Sequence, residues 1–101
     1  SPDRRALQLQ TAQADHAAAS ASYAEANARL DRARQNLESR RTLSEKGYIS
    51  ANALRDSEAE TRAAAAAAER ARAESASADV KIRTARAELE DVLIRAPTDG
   101  Y

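Results

Sequence analysis

Between Pro2 and Pro97 the chain holds one glycine, Gly47, and no proline. This scarcity of helix breakers limits the fold more than any other feature. A run of about 44 residues precedes the glycine and one of similar length follows it. Neither contains a residue that would stop a helix. Ser1-Pro2-Asp3 reads as a helix start: a capping hydroxyl, a proline suited to the first helical position, and an acid at the positive end of the helix dipole. The sequence therefore predicts a first helix over about 2–45, a tip at about 46–49 and a second helix over about 50–91. Gly47 supplies a left-handed helix stop, and Ser50 a cap for the second helix. Ile49 and Leu54 are spaced as a hydrophobic staple, which fixes the angle at which the chain joins the helix. So short a link forces the helices antiparallel.

Each helix carries a seam of residues at alternating spacings of three and four. In the first it runs through Leu9, Ala12, His16, Ala19, Tyr23, Ala26, Leu30, Ala33 and Leu37. In the second it runs through Leu54, Ser57, Thr61, Ala64, Ala68, Ala71, Ser75, Ala78, Ile82, Ala85, Leu89 and Val92. This is the heptad pattern of a coiled coil. A tight tip favours Leu37 opposite Ser57, Leu30 opposite Ala64, Tyr23 opposite Ala71 and Leu9 opposite Ala85; a register shifted by half a heptad also pairs large with small. Large side chains then meet small ones, and the helix axes can approach to the near end of the usual 8–10 Å range. The expected fold is all-α, a long antiparallel two-helix coiled-coil hairpin. Each arm would measure roughly 60 Å at 1.5 Å per residue.

Composition agrees with a thin hairpin rather than a globule. Of 43 hydrophobic residues 27 are alanine, and Phe, Trp, Met and Cys are absent. Large apolar side chains are too few for a globular core. The 16 basic and 16 acidic residues balance, which argues against nucleic-acid binding, since that needs a basic face. Without cysteine there is neither a disulfide framework nor a thiolate metal site. No apolar run approaches the roughly 20 residues of a membrane span.

Two stretches stand apart from the helical pattern. "VLIRAPTDGY" (92–101) has β-branched residues, then Pro97 and Gly100. It reads as a short strand and turn that begin a further domain. At the tip, "LSEKGYIS" (43–50) places Leu43, Tyr48 and Ile49 on the end of a polar rod. Apolar groups gathered on a surface usually meet a partner.

These stretches carry a resemblance. "AELEDVLIRAPTDGY" (87–101) resembles the return from the helical hairpin into the lipoyl-like domain of bacterial periplasmic adaptor proteins, the membrane fusion proteins. Leu89, Val92, Ile94, Ala96, Pro97, Asp99 and Gly100 match that pattern. The tip resembles the family's motif for meeting TolC-like outer-membrane channels. Leu43 and Ser50 fall on its Leu and Ser. Its Arg falls on Ser39, with Arg40 one place on. The resemblance implies a docking tip of Arg40, Leu43, Gly47, Tyr48, Ile49 and Ser50. It implies 92–101 as the start of a lipoyl-like β-domain. It also implies a full-length protein attached to the inner membrane, working in the periplasm between an inner-membrane transporter and the outer-membrane channel. Self-association through the hairpin flanks, commonly as a hexamer, would belong to that role.

Other candidates are weaker. His16 on the seam is either a proton-sensitive side chain or a tolerated half-buried one. Glu88, Glu90 and Asp91 cluster in sequence, but acids near a helix end are usually solvated. Arg4/Arg5, Arg40/Arg41 and the set Arg70, Arg72, Arg83 and Arg86 suit either lateral contacts or surface ion pairs. No catalytic grouping or phosphate loop is present, so neither enzyme chemistry nor a cofactor is expected. Two other classes compete with the adaptor reading. A generic coiled-coil scaffold leaves "IRAPTDGY" unexplained. A lipid-binding amphipathic helix needs a stronger apolar face than alanine provides.

Overall fold

A computed structural model of the chain describes the backbone of residues 1–99 and the side chains of residues 1–95. These residues form two helices and no strand: α1 (Pro2–Glu45) and α2 (Ala51–Asp99). The Ser1 hydroxyl accepts from the Arg4 N–H at 3.4 Å, and the Ser1 carbonyl accepts from Arg5 at 3.1 Å. Pro2 then lies where a missing N–H costs nothing. At the start of α2, the Ser50 hydroxyl accepts from Ala53 at 3.0 Å and its carbonyl from Leu54 at 3.2 Å. At each N-terminus the serine hydroxyl thus satisfies one otherwise orphaned donor, while its carbonyl accepts the first bond of the helix.

Contacts divide the chain into two units, Ser22–Arg72 and Ser1–Ala21 with Ala73–Tyr101. The 22–72 unit is a closed antiparallel hairpin. Its core is Leu30, Ala64 and Ala68, with Ala26, Ala33 and Ala65 packed against them. Leu37 and Ala71 are buried too, and Ser57 is the most buried residue at 1% exposed. The Thr61 hydroxyl hydrogen-bonds along its own helix to the Ser57 carbonyl (2.8 Å) and lies 3.3 Å from the Ala33 carbonyl of α1. These contacts set Leu30 beside Ala64 and Ala33 beside Thr61, the pairing of large with small that the seams require. Burying Leu30 contributes about 2 kcal/mol by area.

The second unit pairs the N-terminal part of α1 with the C-terminal part of α2. Ala12, Ala78 and Ala85 are buried, while Leu9, Ile82, Leu89 and Val92 are half-buried. Two polar links cross the seam. Arg5 Nη1 donates to Glu88 Oε2 at 2.6 Å. The Ser20 and Ser75 hydroxyls lie 3.2 Å apart, and Ser20 also stands 3.4 Å from His16 Nε2. Arg5 lies four residues before Leu9 and extends the seam by one position.

The strand expected to begin at Val92 is corrected: α2 continues through Val92, Ile94, Ala96 and Pro97 to Asp99. The second helix therefore ends well past the expected limit near 91. The reason is local. Val92 continues the three-residue step from Leu89 and is half-buried with it. Among the described residues no strand offers a partner, so the backbone polar groups of 92–99 find their bonds within the helix. Pro97 lacks the N–H that would bond the Leu93 carbonyl. One lost bond near a helix end costs less than leaving a strand's whole edge unpaired. Gly100 and Tyr101 lie outside the described residues.

Candidate functional site

The tip between α1 and α2 is built by its backbone. Gly47 has φ +78°, the left-handed region that residues with a side chain rarely enter. The Tyr48 N–H donates to the Leu43 carbonyl at 2.9 Å, and the Gly47 N–H to the Ser44 carbonyl at 3.0 Å. These nested bonds are a Schellman motif, which satisfies the last carbonyls of α1. The motif assigns positions to the apolar residues. Leu43 and Tyr48 occupy the two places where its hydrophobic contact usually forms. Ile49 and Leu54 occupy the staple positions on α2, and both are half-buried.

Turn chemistry explains why Leu43 and Tyr48 are apolar, but it does not hide them. Tyr48 is 72% exposed and Leu43 38% exposed. Tyr48 and Leu43, on a turn held by two backbone bonds and followed by a serine cap, form a small apolar end. The surroundings are polar: Ser44, Glu45, Lys46 and Ser50. Such an end can make a contact; it has no recess in which to hold a substrate.

The six candidate tip residues do not all belong to that end. Gly47, Tyr48, Ile49 and Ser50 form the turn, and Leu43 stands at its base. Arg40 lies a turn earlier, half-buried on the seam face, and its Nε is 3.5 Å from Asn36 Oδ1. Ser44 is also half-buried there. Leu37, Arg40 and Ser44 thus carry the α1 seam past the last residue expected on it. The heptad step from Leu37 to Ser44 was the available signal, masked because neither Arg40 nor Ser44 is apolar. Of the return-motif residues, Ile94 is 75% exposed in the other unit. Ala96, Pro97 and Asp99 are helical in backbone, and Gly100 is outside the described residues.

The seam residues Leu9, Tyr23, Leu30, Leu37, Leu54, Ile82 and Leu89 are all buried or half-buried. Apart from Arg5 with Glu88, the ion pairs among the described residues are local, each within one helix. Arg72 holds Glu69 through Nη2 at 2.6 Å and Nε at 3.1 Å, and the hydrogen bond keeps the Glu69 carboxyl below its ordinary pKa. Arg83 does the same to Asp79 at 2.6 Å, with His16 a minor contributor. Among the described residues no three His, Cys, Asp or Glu side chains converge as metal ligands, and no helix is long and apolar enough to cross a membrane. No protein-family model, curated protein or solved structure matches the chain.

Proposed function

We propose that the chain is the hairpin of a periplasmic adaptor in a tripartite efflux or type I secretion system. In this reading it bridges an inner-membrane transporter to a TolC-like outer-membrane channel and meets the channel through its tip. The observation that carries the reading is the hydrogen-bonded turn that leaves Tyr48 and Leu43 exposed. A hairpin whose only large apolar groups between residues 40 and 50 stand at its end is suited to end-on contact. Leu43, Gly47 and Ser50 keep the roles the resemblance gives them. Arg40, turned toward the seam, is dropped from the contact. A hexameric assembly belongs to the same proposal.

The test is Leu43→Asp in the full-length protein, with export measured in cells and protein level checked. The charge lies on the contact surface and off the seam residues Arg40 and Ser44, so the hairpin should fold. Against an apolar partner it must be desolvated, which costs several kcal/mol, roughly 3–5 for an unpaired buried charge. Export should fall by two orders of magnitude or more, since about 1.4 kcal/mol is tenfold in affinity. Normal export at normal expression overturns end-on docking.

One observation favours a second reading, a coiled-coil scaffold with no export role. The helical course of 92–99 is what a scaffold needs and what a return into a β-domain does not. Deleting the gene separates the two: an adaptor's loss abolishes export of some cargo, a scaffold's does not.

A further inference from the structure

The turn at the tip accounts for its backbone but not for its aromatic ring. In a Schellman motif the residue after the glycine usually packs an apolar side chain on the residue five places before it, here Tyr48 on Leu43. A side chain of leucine size meets that need. Tyr48 nevertheless keeps 72% of its surface exposed, against 38% for Leu43. The turn therefore leaves most of the ring unused. Tyr23, the other tyrosine among the described residues, is half-buried on the seam.

The backbone on both sides of the ring is held. The Tyr48 N–H donates to the Leu43 carbonyl at 2.9 Å, and left-handed Gly47 precedes it at φ +78°. Ile49 follows half-buried, and the Ser50 hydroxyl caps α2 at 3.0 Å. Docking the ring then orders little more than its own two side-chain torsions. Charge gives the tip no sign, since Glu45 and Lys46 are adjacent and both exposed. The phenol hydroxyl enters no hydrogen bond among the described residues. A tyrosine hydroxyl that becomes buried usually finds a partner, so whatever covers the ring must supply one.

We infer that Tyr48 is the anchor of the end-on contact, and that the partner presents an apolar recess the depth of one aromatic ring with a hydrogen-bonding group on its floor. The inference rests on the channel-docking reading and goes beyond it by ranking the tip residues and stating the chemistry that receives them. Tyr48 enters the partner, and Leu43 flanks it. Binding energy at an interface concentrates in a few buried anchors, most often tryptophan, tyrosine or arginine, ringed by contacts that are nearly neutral. Of the six expected contact residues only Arg40 and Tyr48 are of that kind, and Arg40 is half-buried on the seam face. The ring remains.

Binding of the purified full-length protein to the TolC-like channel of the same cells, isolated in detergent, tests it. Tyr48→Ala should weaken binding about 30-fold or more, the loss typical of an anchor. Tyr48→Leu keeps an apolar side chain for the turn but removes the ring, and should weaken binding about tenfold or more. Tyr48→Phe keeps the ring but leaves the group on the recess floor unpaired, and should weaken binding about fivefold or more. The ring is exposed, so all three should keep wild-type circular dichroism. Tyr48→Leu at wild-type affinity would show that the residue serves the turn alone, and overturns the anchor. Tyr48→Phe at wild-type affinity overturns the hydrogen-bonding floor. Normal binding by Tyr48→Ala with loss of binding by Leu43→Asp overturns the anchor and leaves end-on docking standing. A wild-type protein that does not bind the channel overturns end-on docking itself, and the anchor falls with it.

Discussion

The two units solve the same packing problem with different residues. In the 22–72 unit, Leu30 and Leu37 are buried against small partners, and a doubly bonded turn closes the hairpin. In the unit of 1–21 with 73–101, alanines hold the buried positions, and Leu9, Ile82 and Leu89 remain half-exposed. Both seams carry polar residues, Ser57 and Thr61 in the first among them, but among the described residues only the second is spanned by bonds between side chains. Arg5 and His16 occupy seam positions in the second unit, and Ser20 and Ser75 bond across it. Polar groups there must keep water or a partner, so the large apolar neighbours cannot be sealed off as Leu30 is. In a two-helix seam, a leucine contributes according to its neighbours as much as its own size.

The largest effect should come from testing that contrast directly. Leu30→Ala removes a side chain only 7% exposed and leaves alanine facing alanine. It should cost the 22–72 unit about 2–3 kcal/mol, the lower end of such core truncations because a thin hairpin can partly collapse. Leu9→Ala removes a half-buried side chain and should cost about 1 kcal/mol, roughly half the full transfer value. Amide hydrogen exchange resolved along the chain reads both, since each unit reports its own opening. Equal losses would show that the polar links of the second unit stabilise it as well as leucine burial does the first.

The sequence made the seams legible because burial follows spacing. Every residue placed on them at three- and four-residue steps is buried or half-buried. The glycine stop and serine caps were legible because each has one physical use at that position. Three features were not. Arg40 and Ser44 lie on the seam without being apolar, so a hydrophobic pattern passes over them. The bond between Ser20 and Ser75 joins a seam residue to one beside the seam, and periodicity does not single out Ser20. Residues 92–99 carry β-branched and Pro-Gly signals, yet helical bonds are local while a strand needs a partner. For the tip, Leu43 and Tyr48 were visible as apolar. Their places in the Schellman motif emerged only with the backbone bonds.

A smaller effect sharpens the comparison from the polar side. Ser57 sits in the better-packed unit, 1% exposed, and its hydroxyl has no hydrogen-bond partner. An unpaired buried hydroxyl costs free energy. Ser57→Ala removes it without opening a cavity of consequence and should raise stability by about 1 kcal/mol in urea unfolding. Ser75→Ala, in the other unit, breaks the bond to Ser20 but improves helix propensity. It should change stability by less than about 0.5 kcal/mol. If Ser57→Ala destabilises instead, its hydroxyl is satisfied in solution, and the apolar character of the 22–72 seam is overstated.

The smallest effect is expected from acid, and it should not distinguish the units at all. Glu69 in one unit and Asp79 in the other are each held below their ordinary pKa, first by the hydrogen bond from an arginine on the same helix and then by its charge. A carboxylate whose pKa is lower folded than unfolded adds stability above its unfolded pKa. That contribution is lost as pH falls through the folded value. Both pairs therefore support the helix at neutral pH and fail at pH below the ordinary carboxylate range. Both lie in open solvent, so salt screens them. Both also span a single turn of α2, so neither depends on packing between helices. Exchange protection near residues 69 and 79 should decline together on acidification, and high salt should flatten both declines. A loss confined to the neighbourhood of Asp79 would mean that acid reaches that unit through something other than its surface pair. Replacing His16, which also helps to lower the Asp79 pKa, would then be the next test.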